Sequence, residues 1–161
     1  MNNSTTLEKP ILAIDYGSKR IGLAVSDSKG LIASPLPVIH ITRNKSEELV
    51  ITELLAAAEK YRVKSLLIGL PQAFVASHEE IREKIEHFAA AIRDKTPLDT
   101  AFFDESFSTK GAQNMLLSLG QSRKKYKDKI DSLAAANFLK EYLDAEQRLQ
   151  AKQHTPTTTD E

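Results

Sequence analysis

Residues 11–27 read ILAIDYGSKRIGLAVSD. An apolar run, Ile11 to Ile14, stops at Asp15, and a second run, Ile21 to Val25, begins almost at once. Short runs of branched residues bounded by glycine read as buried strands. The spacing predicts two strands, 11–15 and 21–26, joined by a tight connection that Gly17 allows. The first strand ends in a carboxylate. Ligands in open α/β sheets bind outside the carboxyl ends of the strands, so Asp15 is mounted rigidly where sites form. Aspartate is also a common turn residue, so its meaning depends on what else converges there.

Working outward, residues 31–41, LIASPLPVIHI, form a third extended stretch, which Pro35 and Pro37 bar from helix and limit to a sheet edge or an irregular strand. A helix over 46–61 starts with Ser46 as cap and Glu47 and Glu48 in its first turn. KSLLIGL, 64–70, is a buried strand, and Ser77 caps a helix carrying Ile81, Ile85, Phe88 and Ile92 on one stripe. DTAFFD, 99–104, is a further strand, followed by a helix from Ser108 or Thr109 to Gly120 and a last helix over 125–146. The order β-β-β-α-β-α-β-α-α implies a mixed α/β sheet: antiparallel hairpins first, then parallel strands joined through helices. Residues 1–10 read as a flexible arm, 11–146 as one domain and 147–161 as a disordered polar tail.

The chain has 161 residues, 41% hydrophobic and 27% charged, enough for one domain with a real core. It has no cysteine, which excludes disulfides and thiolate metal sites. Lys plus Arg and Asp plus Glu both number 22, which argues against a non-specific coat on nucleic acid while allowing a local basic patch. The polar start, MNNSTTLEKP, lacks the apolar core of a signal peptide. No run approaches the ~20 apolar residues of a membrane span, so a soluble, cytoplasmic protein is expected.

Two further acids repeat the theme of Asp15. FFDES ends a strand in Asp104 and Glu105, of which alternation lets at most one join Asp15. Asp131, in KDKIDSLAAANFL, shares a helix face with Ala135 and Phe138, a small apolar face suited to packing on a sheet. Helix capping is the plainer alternative for Asp131. Carboxylates that converge without a counter-charge raise each other's pKa. Mg²⁺ or Mn²⁺ relieves this by taking carboxylate oxygens, and suits phosphodiester displacement. In QSRKKYKDK, the cations Arg123, Lys124, Lys125 and Lys127, with Lys129, concentrate positive charge just before Asp131. Together with Lys19 and Arg20 they are candidates to bind phosphates, and Tyr126 could stack on a base. The histidines, His40 among them, do not pair at metal-ligand spacing.

These blocks resemble the YqgF/RuvX family, RNase H-like proteins described as Holliday-junction resolvases and as nucleases maturing the 5′ end of 16S ribosomal RNA. The resemblance spans Ile11 to Asp144 and rests on ILAIDYGSKRIGLAVSD, LLIGLP, FFDESFST and SRKKYKDKIDSLAAANFLKEYLD. It implies an RNase H-like fold, a mixed five-stranded sheet flanked by helices. It also implies nuclease activity with Mg²⁺ or Mn²⁺, and Asp15, Glu105 and Asp131 as catalytic metal ligands. The expected substrate is structured RNA or branched DNA, and the expected state a monomer or homodimer. Two departures stand out: Ser106 replaces the arginine usual after the Asp-Glu pair, and QAFVASHEE follows Gly-Leu-Pro where a polar loop is usual. Two other readings compete. An actin-like nucleotide-binding module would use DYGSKRIGLAV as a phosphate loop, but needs two such domains. A non-catalytic nucleic-acid binder would need only the basic stretch.

Overall fold

The computed structural model describes residues 6–71, 76–105 and 123–154, without the side chains of 105 and 123–127. Its elements are β1 (Ile11–Tyr16), β2 (Arg20–Ser26), β3 (Ala33–His40), α1 (Glu47–Lys60), β4 (Ser65–Pro71), α2 (Glu79–Lys95), β5 (Asp99–Glu105) and α3 (Arg123–Gln153). The five strands make one sheet in the order β3-β2-β1-β4-β5. β1–β2 and β2–β3 are antiparallel, whereas β1–β4 and β4–β5 are parallel. The central strand is therefore β1, the strand that ends at Asp15 and Tyr16.

Alternation divides the core in two. Leu12, Ile14, Leu23, Leu66 and Ile68 face α1 and α2, packing with Leu54, Ile85, Phe88 and Ile92. Ile11, Ala13, Ala24 and Leu67 face α3, packing with Ala135, Phe138, Leu139 and Leu143. Alanine at 134–136 lets the α3 backbone lie close to the sheet. Two buried hydroxyls add to the packing: Ser132 Oγ of α3 donates to the Leu36 carbonyl of β3 at 2.7 Å, and within the sheet Ser26 Oγ accepts from the Ile11 amide at 2.8 Å.

The mixed sheet matches expectation, as do edge strand β3 with its exposed prolines and the Ser46 cap, which accepts from the Leu49 amide at 3.1 Å. Three boundaries differ. A 3₁₀ turn over Ala76–His78 precedes α2, so His78 rather than Ser77 takes the cap position, with no side-chain capping bond. The chain from Leu7 onward is packed rather than loose: Leu7 is buried, its amide donates to the Tyr142 hydroxyl at 3.3 Å, and Lys9 pairs with Glu146 at 2.8 Å. Those contacts reach α3 at Tyr142 and Glu146, and the helix continues to Gln153 beyond the expected end at 146, where a polar tail was expected. The helix expected between 108 and 120 lies outside the described residues.

Between β2 and β3, Asp27 Oδ1 accepts from the Leu31 and Ile32 amides at 2.7 and 3.0 Å. These bonds hold its carboxyl below the usual carboxylate range, the Ile32 amide contributing most. A depressed acid contributes stability above its unfolded pKa and loses it as pH falls through the folded value. Asp27→Ala is therefore expected to lower Tm at pH 7, with the gap to wild type closing below about pH 4. Thermal melts by circular dichroism at the two pH values check it.

Candidate active site at the carboxyl end of the sheet

Asp15 and Gly22 are direct cross-strand partners in the β1–β2 ladder. They follow Ala13 and precede Ala24 on the alternating pattern, which puts both on the face that α3 covers. A Cβ placed on Gly22 would lie 2.1 Å from the Asp131 carbonyl oxygen and 3.1 Å from its Cα. The α3 backbone at Asp131 thus rests on the bare backbone of Gly22, opposite Asp15. Absence of a side chain at 22 lets the Asp131 segment of α3 lie against the strand pair beside Asp15. In the sequence Gly22 lies inside the apolar run Ile21 to Val25. Its signal was a lone glycine inside an apolar strand, which marks close approach of another backbone.

Gly17 makes the turn before Arg20. Its amide donates to the Arg20 carbonyl at 3.1 Å, and a Cβ there would come within 2.6 Å of that oxygen. The turn starts β2 with the Arg20 side chain directed at the first described turns of α3. Arg20 forms an ion pair with Asp131, and its Nε also stands 3.8 Å from Asp128 Oδ1. His40, the cross-strand partner of Arg20, brings Nε2 within 3.4 Å of Asp128 Oδ2. Arg20 is engaged by carboxylates, while Lys19, its neighbour, is exposed. Asp128 and His40 are members of the cluster that sequence reading did not single out. Asp128 lies one helical turn before Asp131, and the β2–β3 register supplies His40.

Burial pushes the Asp131 carboxyl above the usual carboxylate range; Arg20 opposes the shift and Asp128 adds to it. A partly buried acid held this way is a feature of functional sites.

β5 closes the arrangement. Ala101 and Phe103 pack with the α3-side core, and Phe103 stacks on Phe138 with ring centroids 5.8 Å apart. Phe102 faces the other way, under the Arg93 guanidinium of α2 at 5.3 Å. Asp104 therefore shares the Phe102 side, away from Asp15. The Glu105 backbone pairs with Pro71 at the end of β4. The Glu105 side chain lies outside the described residues, as do those of Arg123, Lys124, Lys125 and Lys127. Ser106 and the stretch 72–75 also lie outside them. Among the described residues no three His, Cys, Asp or Glu side chains are grouped to hold a metal, and no helix is long and apolar enough to cross a membrane.

A hairpin of antiparallel strands continued by parallel strands, with an acid ending the central strand and a helix laid across it, is the RNase H-like fold. RuvC of Thermus thermophilus in complex with a Holliday junction superposes with a TM-score of 0.52 at 17% identity, over 85% of this chain and 94% of that one. Fowlpox virus resolvase with its junction DNA gives 0.51 at 14% identity, over 86% and 99%. The model of the RuvX family, described as Holliday junction resolvase, matches residues 9–145, and the chain belongs to that family. A relative from Rickettsia akari named "Putative pre-16S rRNA nuclease" is 37% identical, aligned over 86% of this chain and 88% of its own length. One of the same name from Geobacillus kaustophilus is 36% identical over 83% and 96%.

Proposed function

We propose that this protein is a cytoplasmic, divalent-metal-dependent endonuclease that hydrolyses phosphodiester bonds in structured RNA, acting in 5′-end maturation of pre-16S ribosomal RNA. The observation that carries the reading is the seating of Asp131 on Gly22 opposite Asp15, at the carboxyl end of the central strand. Acids at the strand end and on the helix laid across it, in a family of nucleic-acid-cleaving proteins, fit a hard cation in donor type: they offer oxygens, and the chain has no cysteine. We take Glu105 as the third acid because its backbone ends β5, a strand parallel to β4 and so to β1.

In this reading Asp15, Glu105 and Asp131 hold Mg²⁺ or Mn²⁺. A bound divalent cation supplies charge stabilisation to the attacking and leaving oxygens of the displaced phosphodiester. The chain's own part is orientation. The apolar runs of β1 fix Asp15, Gly22 sets the depth of α3 and so of Asp131, and Lys19 with Arg123, Lys124, Lys125 and Lys127 binds the phosphate backbone. The names of the relatives at 36–37% identity favour RNA as substrate. The family description and the junction-bound fold relatives favour a second reading, resolution of branched DNA.

Labelled 5′-extended pre-16S RNA and a synthetic four-way junction, assayed side by side with Mg²⁺ or Mn²⁺, test both. The wild type is expected to cleave the RNA. Asp15→Asn should lower the rate by about 10²-fold or more, the order lost when one electrostatic stabiliser is removed. Cleavage of the junction alone favours the second reading. Unchanged cleavage by Asp15→Asn overturns the assigned site.

A further inference from the structure

Arg20 is engaged where a phosphate-binding residue would be open. Its guanidinium lies between two carboxylates one helical turn apart on α3, paired with Asp131 and 3.8 Å from Asp128. On the strand side, His40 Nε2 stands 3.4 Å from Asp128 Oδ2. Arg20 and His40 are register partners of β2 and β3, so the sheet places both beside Asp128. About three-quarters of the Arg20 and Asp131 side chains is removed from solvent, with 23% and 24% exposed. Their attraction is therefore less screened than that of a surface pair. The Gly17 turn fixes the strand on which Arg20 is mounted.

A cation taken by Asp131 cannot coexist comfortably with a guanidinium on the same carboxylate. The two positive charges would share one anion in a partly desolvated site. A second carboxylate already within ion-pair range offers the guanidinium another partner by a short side-chain movement. We propose that Arg20 and Asp128 are positioning residues: Arg20 is the counter-ion of Asp131 when no metal is bound, and transfers to Asp128 when a divalent cation takes Asp131. This rests on the reading of Asp131 as a metal ligand. It gives Arg20 a task distinct from phosphate contact. It also explains why an aspartate sits one turn from Asp131, where a like charge would otherwise only repel it.

Calorimetric titration of Mn²⁺ into the full chain at pH 8, without nucleic acid, tests the exchange. Arg20→Gln removes the competitor and is expected to tighten Mn²⁺ binding about fivefold or more, the lower end of ordinary coupling between sites. Asp128→Asn removes the alternative partner and should weaken binding by a similar factor. In the Arg20→Gln background Asp128→Asn should have a much smaller effect, which separates exchange from simple loss of a nearby negative charge. Arg20→Lys, which keeps the charge, should stay close to wild type. RNA affinity of Arg20→Gln in the absence of metal should keep the wild-type salt dependence; a slope reduced by about one would mark a lost phosphate contact and overturn the exchange. Mn²⁺ binding by Arg20→Gln that is unchanged or weaker, or an undiminished effect of Asp128→Asn in the Arg20→Gln background, also overturns it while leaving the nuclease reading intact. A wild type that binds no Mn²⁺ overturns both.

Discussion

Gly22→Ala is expected to lower both stability and activity, although it adds a single methyl group to a strand. The new Cβ would fall 2.1 Å from the Asp131 carbonyl oxygen and 2.4 Å from its carbon. Those are backbone atoms, so no rotamer change relieves the clash; α3 or β2 must move. Over-packing of this kind costs about 1–3 kcal/mol, occasionally more. For a chain of this size each kcal/mol shifts Tm by roughly 2–4 °C. A drop of about 2–12 °C follows in a melt followed by circular dichroism. The activity loss should exceed what that destabilisation explains. At temperatures where the variant remains folded, lifting α3 by about an ångström separates Asp131 from Asp15, and misplacement on that scale costs about 10²-fold in rate. The comparison variant is Ala24→Gly, on the same face two residues on. It should lower Tm without a comparable loss of cleavage by the folded protein. If Gly22→Ala cleaves at the wild-type rate while folded, the depth of α3 does not set the site.

How much of this was legible in the sequence follows from the range of the interactions involved. Asp15 and its strand were readable because the evidence is local: an apolar run, an acid and a glycine turn within seven residues. The edge position of β3 was readable because proline removes a ladder donor wherever it stands. The sheet-facing side of α3 is legible from the spacing of Ala135 and Phe138, both fully buried. By contrast, the function of Gly22 depends on what crosses it, and α3 crosses it more than a hundred residues later in the chain. Arg20 looked like a phosphate ligand because a cation beside an acidic strand end has no visible partner in sequence. Its partners come from α3, and the β2–β3 register adds His40 to the same cluster. The end of α3 was missed for the same reason. Its polar turns beyond 146 follow Tyr142 and Glu146, which Leu7 and Lys9 engage from the other end of the chain. The side that Asp104 takes follows only from the structure, where Phe103 packs on Phe138 and Phe102 lies under Arg93. Alternation had supplied two phases with nothing to choose between them.

Asp131→Asn should move activity and stability in opposite directions. On the activity side it removes one oxygen donor's charge from the proposed metal set, and the loss should match or exceed about 10²-fold. On the stability side the sign is set by burial. Desolvation is the largest influence on the Asp131 carboxyl and raises its pKa, against the opposing pull of Arg20. A folded-state pKa above the unfolded one means that the native protein holds the proton more tightly than the unfolded chain does. Its contribution to stability is then fully present below the unfolded pKa, about 3.9, and is lost as pH rises through the folded value. At pH 8 the native state carries an ionised, partly buried acid that disfavours folding. Asparagine has the same shape and no charge, so Asp131→Asn should melt above wild type at pH 8. The gap should narrow as pH is lowered toward 4. Arg20 keeps Asp128 within ion-pair range in the variant, which limits the cost of its lost partner. A functional residue retained against stability in this way is the expected signature of a site. If Asp131→Asn instead melts lower at pH 8, Asp131 serves chiefly to hold Arg20 in place, and the acid belongs to the scaffold of α3 on β2 rather than to the chemistry.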